Sequence, residues 1–307
     1  MTTDVAARAM RAPTVWRRLL AGHAAPVATV VLLILFVWYL AAIALNAPRV
    51  QDQWKLSGAS GTTGDLIAAT WSMERPVLPT PTQIGAELYK TVFVEPVTSK
   101  RSLVYHASVT ASSTLVGFAL GSLLGVLLAI GIVHIRTLDR SLMPWIIASQ
   151  TIPILAIAPM IIVVLGNIGF TGLLPKSIIS MYLCFFPIAI GMVKGLRSPD
   201  PLQLDLMRSY SAVRHQVFWK LRWPASVPFL FASLKVAIAI SLVGAIVGEL
   251  PTGAQAGLGA RLLTGSYYGQ TVQIWAALVM AAVLGASLVY LVALIERIVV
   301  GRMGMRR

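Results

Sequence analysis

The sequence predicts an all-α integral membrane protein with six transmembrane helices, and three observations support that fold class. Apolar residues make up 57% of the 307 residues and charged residues only 12%, about half the charged share of a soluble domain. The mean hydropathy is +0.79. The apolar residues are gathered in six runs of about 20 residues, the length at which a helix crosses a bilayer. Such a chain has too little polar surface to face water on all sides.

The charged and chemically reactive residues argue against several other classes of protein. The net charge is +14, but lysine and arginine stand between the apolar runs and form no basic stripe with interleaved aromatics. We therefore expect the lipid bilayer, and no nucleic acid, as the partner of these charges. The single cysteine, Cys184, cannot form an intrachain disulfide, and the four histidines lack metal-ligand spacing. We predict neither a catalytic site nor a metal site.

The first apolar run, residues 26–46, follows a stretch with four arginines that is predicted as a cytoplasmic tail, residues 1–25. The small residues at 42 and 44 would suit a signal-peptide cleavage site. The apolar region of a signal peptide is usually only about 7–15 residues long, however, and this run is longer. We interpret it as a retained first transmembrane helix, with a cleaved signal peptide as the alternative.

Residues 47–107 differ in character and are predicted to form a water-exposed extracytoplasmic loop. They contain five acidic residues, a patch rich in Gly, Ser and Thr at 58–64, and three prolines between 76 and 81. A short amphipathic helix is predicted from Thr82 to about Phe93, with Ile84 and Leu88 on one face.

Five further apolar runs are predicted to span the membrane. They cover residues 108–133, 141–165, 177–193, 228–249 and 272–295. Pro153 and Pro159 lie within the third span, where neighbouring helices can satisfy the freed backbone groups. In the second span, Gly117, Gly121 and Gly125 form a ladder of small residues. This ladder favours close helix packing within the chain over a dimer seam.

The distribution of positive charge predicts the orientation of the spans. With the N-terminus inside, the cytoplasmic segments hold 16 lysines and arginines, and the extracytoplasmic segments hold 8. Most of those 8 lie in the long first loop, which counts little toward orientation. Both termini are therefore predicted to be cytoplasmic, with residues 298–307 as a basic tail. Residues 194–227, between the fourth and fifth spans, would then face the cytosol.

Residues 194–227 are the most informative stretch, because two helices can be joined by a much shorter turn. Asp200 and Pro201 form a good helix start, with an acidic N-cap and proline at the first helical position. Apolar residues then repeat at helical spacing in two groups. The groups are Leu202, Leu206 and Tyr210, and Val213, Val217 and Leu221. We predict two short amphipathic helices, the second ended by Pro224 and Pro228. They could lie at the lipid interface or bind a partner protein.

Residues 205–224 resemble the EAA loop of ABC importer permeases. That family's pattern is Glu-Ala-Ala, three residues, Gly, nine residues, then Ile-x-Leu-Pro, and the spacing here matches throughout. Asp205 stands at the position of the Glu and Pro224 at that of the Pro. The four departures are Leu206 and Met207 for the two alanines, Ser211 for the glycine and Trp223 for the leucine.

The sequence around this segment extends the resemblance to about residues 76–297. The matching positions resemble the nitrate, sulfonate and taurine subgroup of these permeases, and they include prolines, glycines and two charged residues. They are Pro79, Pro81, Pro153, Pro159, Gly166, Gly169, Lys176, Pro187, Gly195, Glu249, Gly257 and Gly259. The stretches 207–212 and 218–220 are also similar to permeases proposed for pyrimidine vitamin precursors or riboflavin.

The resemblance implies a type I ABC importer bundle in a bacterial inner (plasma) membrane and a division of labour. Two permease subunits provide the pathway, and we expect a homodimer, with pairing to a similar permease as the alternative. Cytosolic ABC ATPase subunits bind ATP and Mg²⁺, and an extracytoplasmic substrate-binding protein delivers the solute. It also implies which residues couple to the ATPase. They are Asp205, Leu206, Met207, Tyr210, Ser211, Ala212, Val217, Leu221 and Pro224.

One feature of the sequence agrees with this division independently of the resemblance. A phosphate-binding P-loop needs Gly-Lys-Ser/Thr, and the chain contains no Gly-Lys dipeptide. We therefore expect no cofactor in this chain, and another protein or an ion gradient as the energy source.

Polar residues in or beside the spans are candidates for the pathway or its gate. Glu249, at the outer end of the fifth span, could line an outer gate or mark the membrane interface. Gln150 and Thr151, in the third span, could bond neighbouring helices or contact the solute. Lys235, about two turns into the fifth span, is expected to extend toward cytoplasmic headgroups.

We therefore expect a non-enzymatic permease subunit of an ATP-driven importer. The favoured solute is a pyrimidine-type vitamin precursor or riboflavin, with nitrate, taurine or an alkanesulfonate as the alternative. The rival from another class is an ion-coupled secondary transporter. Such proteins usually show paired repeats and intramembrane acids, whereas the acid near a span here is Glu249, at its end. A membrane enzyme would need clustered His, Asp or Glu near one membrane face.

Overall fold

A computed structural model of the chain describes residues 24–58, 60–251 and 256–304. These residues form helices joined by short turns, and they contain no strand. The chain divides into two compact units, one up to Ala86 and one from Glu87 onward. The predicted N-terminal tail up to residue 23 and the last three residues of the predicted basic tail lie outside the described residues.

Twelve helices are numbered here in chain order within the described residues. They are α1 (Ala24–Ser57), α2 (Thr63–Ser72), α3 (Pro81–Tyr89), α4 (Leu103–His134), α5 (Arg136–Ser149), α6 (Ile154–Asn167), α7 (Leu173–Leu196), α8 (Pro201–Ser209), α9 (Arg214–Val217), α10 (Trp223–Glu249), α11 (Leu258–Tyr267) and α12 (Thr271–Arg302). Two five-residue turns of π-helix, Lys90–Val94 and Phe218–Arg222, follow α3 and α9.

The first unit is more helical than the sequence predicted. Helix α1 includes the predicted span at 26–46 and continues to Ser57. Beyond it, α2 begins at a capping box in which the Thr62 amide donates to Asp65 Oδ2 over 2.9 Å. This hydrogen bond lowers the pKa of the Asp65 carboxyl group. Residues 47–107, predicted as a water-exposed extracytoplasmic loop with one short helix, therefore contain more helix than predicted, because local caps and turns start helices there.

A buried asparagine ties α1 to the chain that follows it. Asn46 is fully buried; its Nδ2 donates to Leu78 O over 2.9 Å, and its Oδ1 accepts from Val77 N over 2.7 Å. The predicted amphipathic helix at 82–93 is present as α3 and the π-helical turn after it, and Ile84 is buried.

The second unit is built around α7, which packs between α4 and α10. A Cβ atom at Gly117 would lie 2.4 Å from Ser180 Cβ, and one at Gly121 would lie 2.3 Å from Cys184 Sγ. From the opposite side, a Cβ atom at Gly244 of α10 would lie 2.8 Å from Ser180 Cα. A larger residue at these positions would require the neighbouring atoms to shift, and the prediction that the glycine ladder packs within the chain is confirmed.

The predicted third span is not one continuous helix. Among the described residues, five helical runs are long and apolar enough to cross a membrane, and α5 with α6 would make a sixth, but that pair bends by 99°. The break includes Pro153, the N-cap of α6, which has no amide hydrogen to continue α5. The all-α membrane fold class is confirmed, with the third span broken at residues 150–153.

The predicted end of the second amphipathic helix is also wrong. Residues 214–249 run without a break through α9, a π-helical turn and α10. Pro224 lies in the first turn of α10, immediately after the wide turn in which the Trp223 amide donates to Phe218 O. A wide turn accommodates the proline ring and its missing donor, so the helix continues. Pro228 lies within α10.

Candidate functional site

Two groups of residues at opposite ends of α10 are candidates for function. The first is the EAA-like segment, residues 200–224. Helix α8 begins as predicted: Asp200 Oδ1 accepts from Leu202 N over 2.8 Å, and the Asp200 amide donates to Gln203 Oε1 over 3.3 Å. Pro201 occupies the first helical position. These contacts satisfy free amide groups at the start of a nine-residue helix.

Helix α8 ends in a turn at Ser211, the position at which the family pattern has glycine. Ser211 has a φ of +54°, in the left-handed region that favours glycine. Its amide donates to Arg208 O over 2.8 Å, and the Ala212 amide donates to Met207 O over 3.0 Å. This pair of bonds is the Schellman motif that ends many helices. Serine therefore adopts the turn at this position, at a cost in backbone strain.

The residues predicted to couple to an ATPase divide between an exposed face and a half-buried one. Leu206 and Tyr210 are exposed, as are their neighbours Leu202 and Val213, and Tyr210 is 79% exposed. Asp205 forms an exposed ion pair with Arg208, at 2.8 Å from Oδ1 to Nη1. The half-buried residues are Met207, Ala212, Val217, Leu221 and Pro224.

The EAA-like segment is attached to the bundle through Phe218, a contact that the sequence did not reveal. Phe218 is buried among side chains of α4, α5 and α7, and its ring centroid lies 5.2 Å from that of His134. Buried members of this cluster are Ala129, Ile132, Ile146, Phe185, Met192, Val193 and Leu196. Arg222 Nη1 also donates to Leu196 O over 3.3 Å. The aromatic residues at 218, 219 and 223 are the one signal in the sequence that could have indicated this anchor.

The second group lies at the other end of α10 and is named the Glu249 cluster: Glu249, Thr110, His106 and Lys176 with the backbone of residues 256–259. Glu249 is fully buried. Thr110 Oγ1 donates to Glu249 Oε1 over 2.9 Å, and the Gly259 amide donates to Oε2 over 2.8 Å. Both carboxyl oxygens accept hydrogen bonds. Lys176 Nζ lies 4.0 Å from Oε1.

The same side chains cap the start of α11. Three successive amides point at them: Gly257 N donates to His106 Nδ1 over 3.0 Å, Leu258 N to Thr110 Oγ1 over 2.8 Å, and Gly259 N to Glu249. These are amide groups that a helix start leaves without partners. A negative charge is also favourable at a helix N-terminus. The cluster therefore joins α4, α7, α10 and α11.

The two glycines of this turn are required by the end of α10 that packs against them. Gly257 has a φ of +125°, and a Cβ atom there would lie 2.2 Å from Glu249 Cδ. A Cβ atom at Gly259 would lie 2.4 Å from Ile246 O. Leu258, between them, is fully buried beside Leu103, Ala276 and Ala277. The spacing of Glu249 from Gly257 and Gly259 in the sequence is thus a packing constraint.

A cavity of about 830 Å³, named the Lys176 cavity, lies beside the Glu249 cluster. It is lined by α4, by the chain from α6 to α7 and by Ala256. Its principal lining residues are Tyr105, Ser112, Phe170, Thr171, Lys176 and Ala256. Lys176 Nζ donates to Ala256 O over 3.2 Å, so one side chain belongs to both the cavity wall and the cluster.

The remaining candidates lie elsewhere. Gln150 and Thr151 are at the bend between α5 and α6, and Thr151 Oγ1 donates to Ala148 O over 2.7 Å within its own turn. Lys235 Nζ pairs with Glu296 Oε2 over 2.8 Å, which joins α10 to α12. Lys235 is therefore ion-paired and does not extend freely to headgroups. Glu249 was expected to be the acid near a span, and this prediction is wrong, because Glu296 lies within α12.

Comparison with known proteins agrees with the resemblance of the EAA-like segment. Residues 121–305 match the family described as the binding-protein-dependent transport system inner membrane component. The riboflavin transport system permease protein of Chloroflexus aurantiacus is 31% identical over 73% of this chain and 80% of its own length. The formylaminopyrimidine transport permease protein of Halalkalibacterium halodurans is 31% identical over 60% of this chain and 68% of its own length.

A third relative carries a different substrate name. A putative aliphatic sulfonates transport permease protein of Bacillus subtilis is 27% identical over 80% of this chain and 81% of its own length. The matched family covers more than half of the chain and the EAA-like segment within it. The chain therefore belongs to the family of inner membrane components of binding-protein-dependent transport systems, as a multi-pass permease subunit of an ABC importer.

Proposed function

We propose that the EAA-like segment is the surface on which an ABC ATPase docks, and that its closure drives alternating access of the spans. The observation that carries this proposal is the exposed apolar face of α8 and the turn after it. Leucine at 202 is 77% exposed and tyrosine at 210 is 79% exposed, on a segment with the spacing of the family motif. An apolar helix face on a short helix suits the groove of a partner protein.

The attachment of this segment offers a route for the motion. Phe218 is buried among residues of α4, α5 and α7, and the helix from α9 continues into α10. A push on α8 and α9 is thereby transmitted to four helices through packed side chains and a continuous backbone. Packed cores of this kind shift between discrete arrangements more readily than they deform.

The proposed assembly has two copies of this permease as a homodimer, two ATPase subunits that hold ATP and Mg²⁺, and a substrate-binding protein on the other side of the membrane. The proposed orientation has both termini in the cytoplasm, which the lysine and arginine bias of the short loops supports. Gln150 and Thr151 are proposed to border the pathway, because broken helices in transporters expose backbone and polar groups to a cavity.

The favoured solute is a pyrimidine-type vitamin precursor or riboflavin. Relatives named for formylaminopyrimidine and riboflavin, each 31% identical, support it. The alternative is nitrate, taurine or an alkanesulfonate, and the 27% identical sulfonate relative supports that class.

Docking is tested by co-purification of the ATPase subunit with tagged permease variants. Tyr210→Ala should reduce the retained ATPase by at least about tenfold, since exposed aromatic anchors often dominate an interface. Tyr267→Ala is the matched control, because Tyr267 is also 79% exposed. It is the last residue of α11, the helix that starts at the Glu249 cluster, and so lies outside the EAA-like segment. Asp205→Lys and Ser211→Arg should likewise weaken binding, whereas Ser211→Gly should retain it. Equal ATPase recovery from the Tyr210 and Tyr267 variants would refute the docking surface.

An ion-coupled transporter is the second candidate, and the Lys235–Glu296 pair within the spans is the observation in its favour. Solute uptake into cells separates the two functions. An ATP-driven importer loses uptake with vanadate and retains it with an uncoupler. The opposite pattern would favour the ion-coupled transporter.

A further inference from the structure

We propose that the Lys176 cavity is where this permease contacts its solute, and that the cavity fits an uncharged nitrogen heterocycle with carbonyl or ring-nitrogen acceptors. This inference rests on the importer function proposed above and assigns its favoured class of solute a contact site within the permease. Three properties of the cavity carry it: its size, the charge balance of its wall and the types of side chain that line it.

The size of the cavity suits an organic molecule. Its volume of about 830 Å³ falls in the range of roughly 300–1,000 Å³ that is typical of sites for small organic ligands. A three-oxygen anion such as nitrate would leave most of that space to water. A heterocycle of three fused rings would fill a substantial part of it.

The charge balance of the wall disfavours an oxyanion. Lys176 is the one charged residue among the lining residues of the described chain, and the Glu249 carboxylate lies 4.0 Å from its Nζ. Lys176 Nζ already donates to Ala256 O and faces the Glu249 carboxyl group. An oxyanion that entered would lose hydration and would share the Lys176 ammonium group with these two partners, which is an unfavourable exchange. An uncharged solute does not meet this penalty.

Hydrogen-bonding groups remain available for a heterocycle. An ammonium group has three N–H donors, and Lys176 gives one of them to Ala256 O. The others can donate to a carbonyl oxygen or ring nitrogen. Ser112 donates its hydroxyl hydrogen to Val109 O, so its oxygen is an acceptor for an N–H group of the solute.

Aromatic and apolar side chains complete the site. Tyr105 and Phe170 supply ring faces, and Val109, Ile162 and Leu173 supply apolar contact. Ring faces favour stacking with a flat heterocycle. Gly169 and Gly172, with φ of +89° and +74°, shape the turn that presents Phe170. The Gly169 and Phe170 amides donate to Gly166 O and Leu165 O, so this turn is a Schellman motif like that at Ser211.

The test is equilibrium dialysis of riboflavin, formylaminopyrimidine, taurine and nitrate against the permease–ATPase complex in lipid nanodiscs. We expect saturable binding of at least one of the two heterocycles and none of taurine or nitrate. Phe170→Ala and Lys176→Met should each weaken that binding by about tenfold or more, the loss expected for a stacking contact or a charge-assisted hydrogen bond. Val163→Ala, at an exposed position of α6 outside the cavity lining, should leave it unchanged.

Each other outcome has a definite meaning. Taurine or nitrate binding that is lost in Lys176→Met would overturn the heterocycle class. Failure of both heterocycles to bind, or equal affinities in the wild type and Phe170→Ala, would overturn the cavity as the contact site. Phe170→Ala is informative even if Lys176→Met fails to fold, because Phe170 lies in the exposed turn outside the Glu249 cluster. If the ATPase does not co-purify, the proposed function fails, and dialysis against the permease alone still tests the cavity.

Discussion

The two ends of α10 hold their polar groups in different ways. In the EAA-like segment, the caps that shape α8 join residues at most five positions apart, and the side chains are largely exposed. In the Glu249 cluster, the side chains are buried, and their partners are distant in sequence. His106 and Gly257, for example, are 151 positions apart.

Because of this difference, we expect the EAA-like segment to tolerate substitutions that the Glu249 cluster does not. A surface segment shaped by its own backbone keeps its conformation when exposed side chains change, so its face is free to match a partner. A buried cluster with every group bonded loses several contacts when one group changes. We therefore expect substitutions in the Glu249 cluster to affect the stability of the whole bundle, and substitutions in the caps of α8 to act locally.

The largest effect is expected for Gly257→Ala. The new Cβ atom would meet the Glu249 carboxyl group at 2.2 Å, at a φ of +125°. Backbone strain and overpacking together should destabilise the bundle by about 3 kcal/mol or more. Thermal unfolding of the purified permease measures this loss. Gly269→Ala is the control: its φ is +63° with nothing within 4 Å, so strain alone, about 1 kcal/mol, applies. Equal unfolding midpoints for the two variants would contradict the packing argument.

Glu249→Gln should have the next largest effect. The amide retains the shape of the side chain but loses the ion pair with Lys176 and places an NH₂ group where two donors now meet the carboxylate. We expect a loss of about 2–3 kcal/mol, measured as a lower unfolding midpoint. Glu74→Gln, at an exposed position, should change stability by less than about 0.5 kcal/mol. If both variants unfold at the wild-type temperature, the Glu249 cluster has no stabilising role.

Asp200→Ala should act only on α8. Removal of the N-cap acceptor costs about 1 kcal/mol of local helix stability. Hydrogen exchange should become faster at the amides of Leu202 and Gln203, while the unfolding midpoint of the bundle stays unchanged. Asp200→Asn retains a capping oxygen and should exchange like the wild type. A fall in the global midpoint would show that the segment is not locally stabilised.

The smallest effect, and one of opposite sign, is expected for Ser211→Gly. Glycine adopts the φ of +54° without the strain that serine meets there, so the end of α8 should gain up to about 1 kcal/mol. Slower hydrogen exchange at the Ala212 amide, which donates to Met207 O, would report the gain. Faster exchange would mean that the serine side chain contributes a contact of its own to the turn.

The features predicted correctly from the sequence depend on composition or on short spacing. The apolar runs indicated the membrane fold class, and Asp200 with Pro201 indicated the start of α8, because an N-cap acts within three residues. The motif spacing also placed Ser211 at the position of the family's glycine. Its left-handed φ explains why the family pattern has glycine there.

The features predicted wrongly depend on contacts between elements or on geometry that a pattern does not carry. The third span looked continuous because its residues are apolar on both sides of the bend. Pro224 and Pro228 looked like helix ends, but the π-helical turn before Pro224 accommodates it. Glu296 lies one residue beyond the predicted last span, 272–295, although it lies within α12 and pairs with Lys235 of α10.

By itself, the sequence determined that this chain crosses a membrane, approximately where it does so, and which segment carries the EAA-like motif. Each of these follows from the solvent preference of a run of residues or from bonds within one helical turn. The tertiary structure alone decided that Glu249 caps α11, that Phe218 anchors the EAA-like segment and that Lys176 borders a cavity. These arrangements join buried faces of different helices, and the hydrophobic pattern that marks a face as buried does not specify which other face it meets.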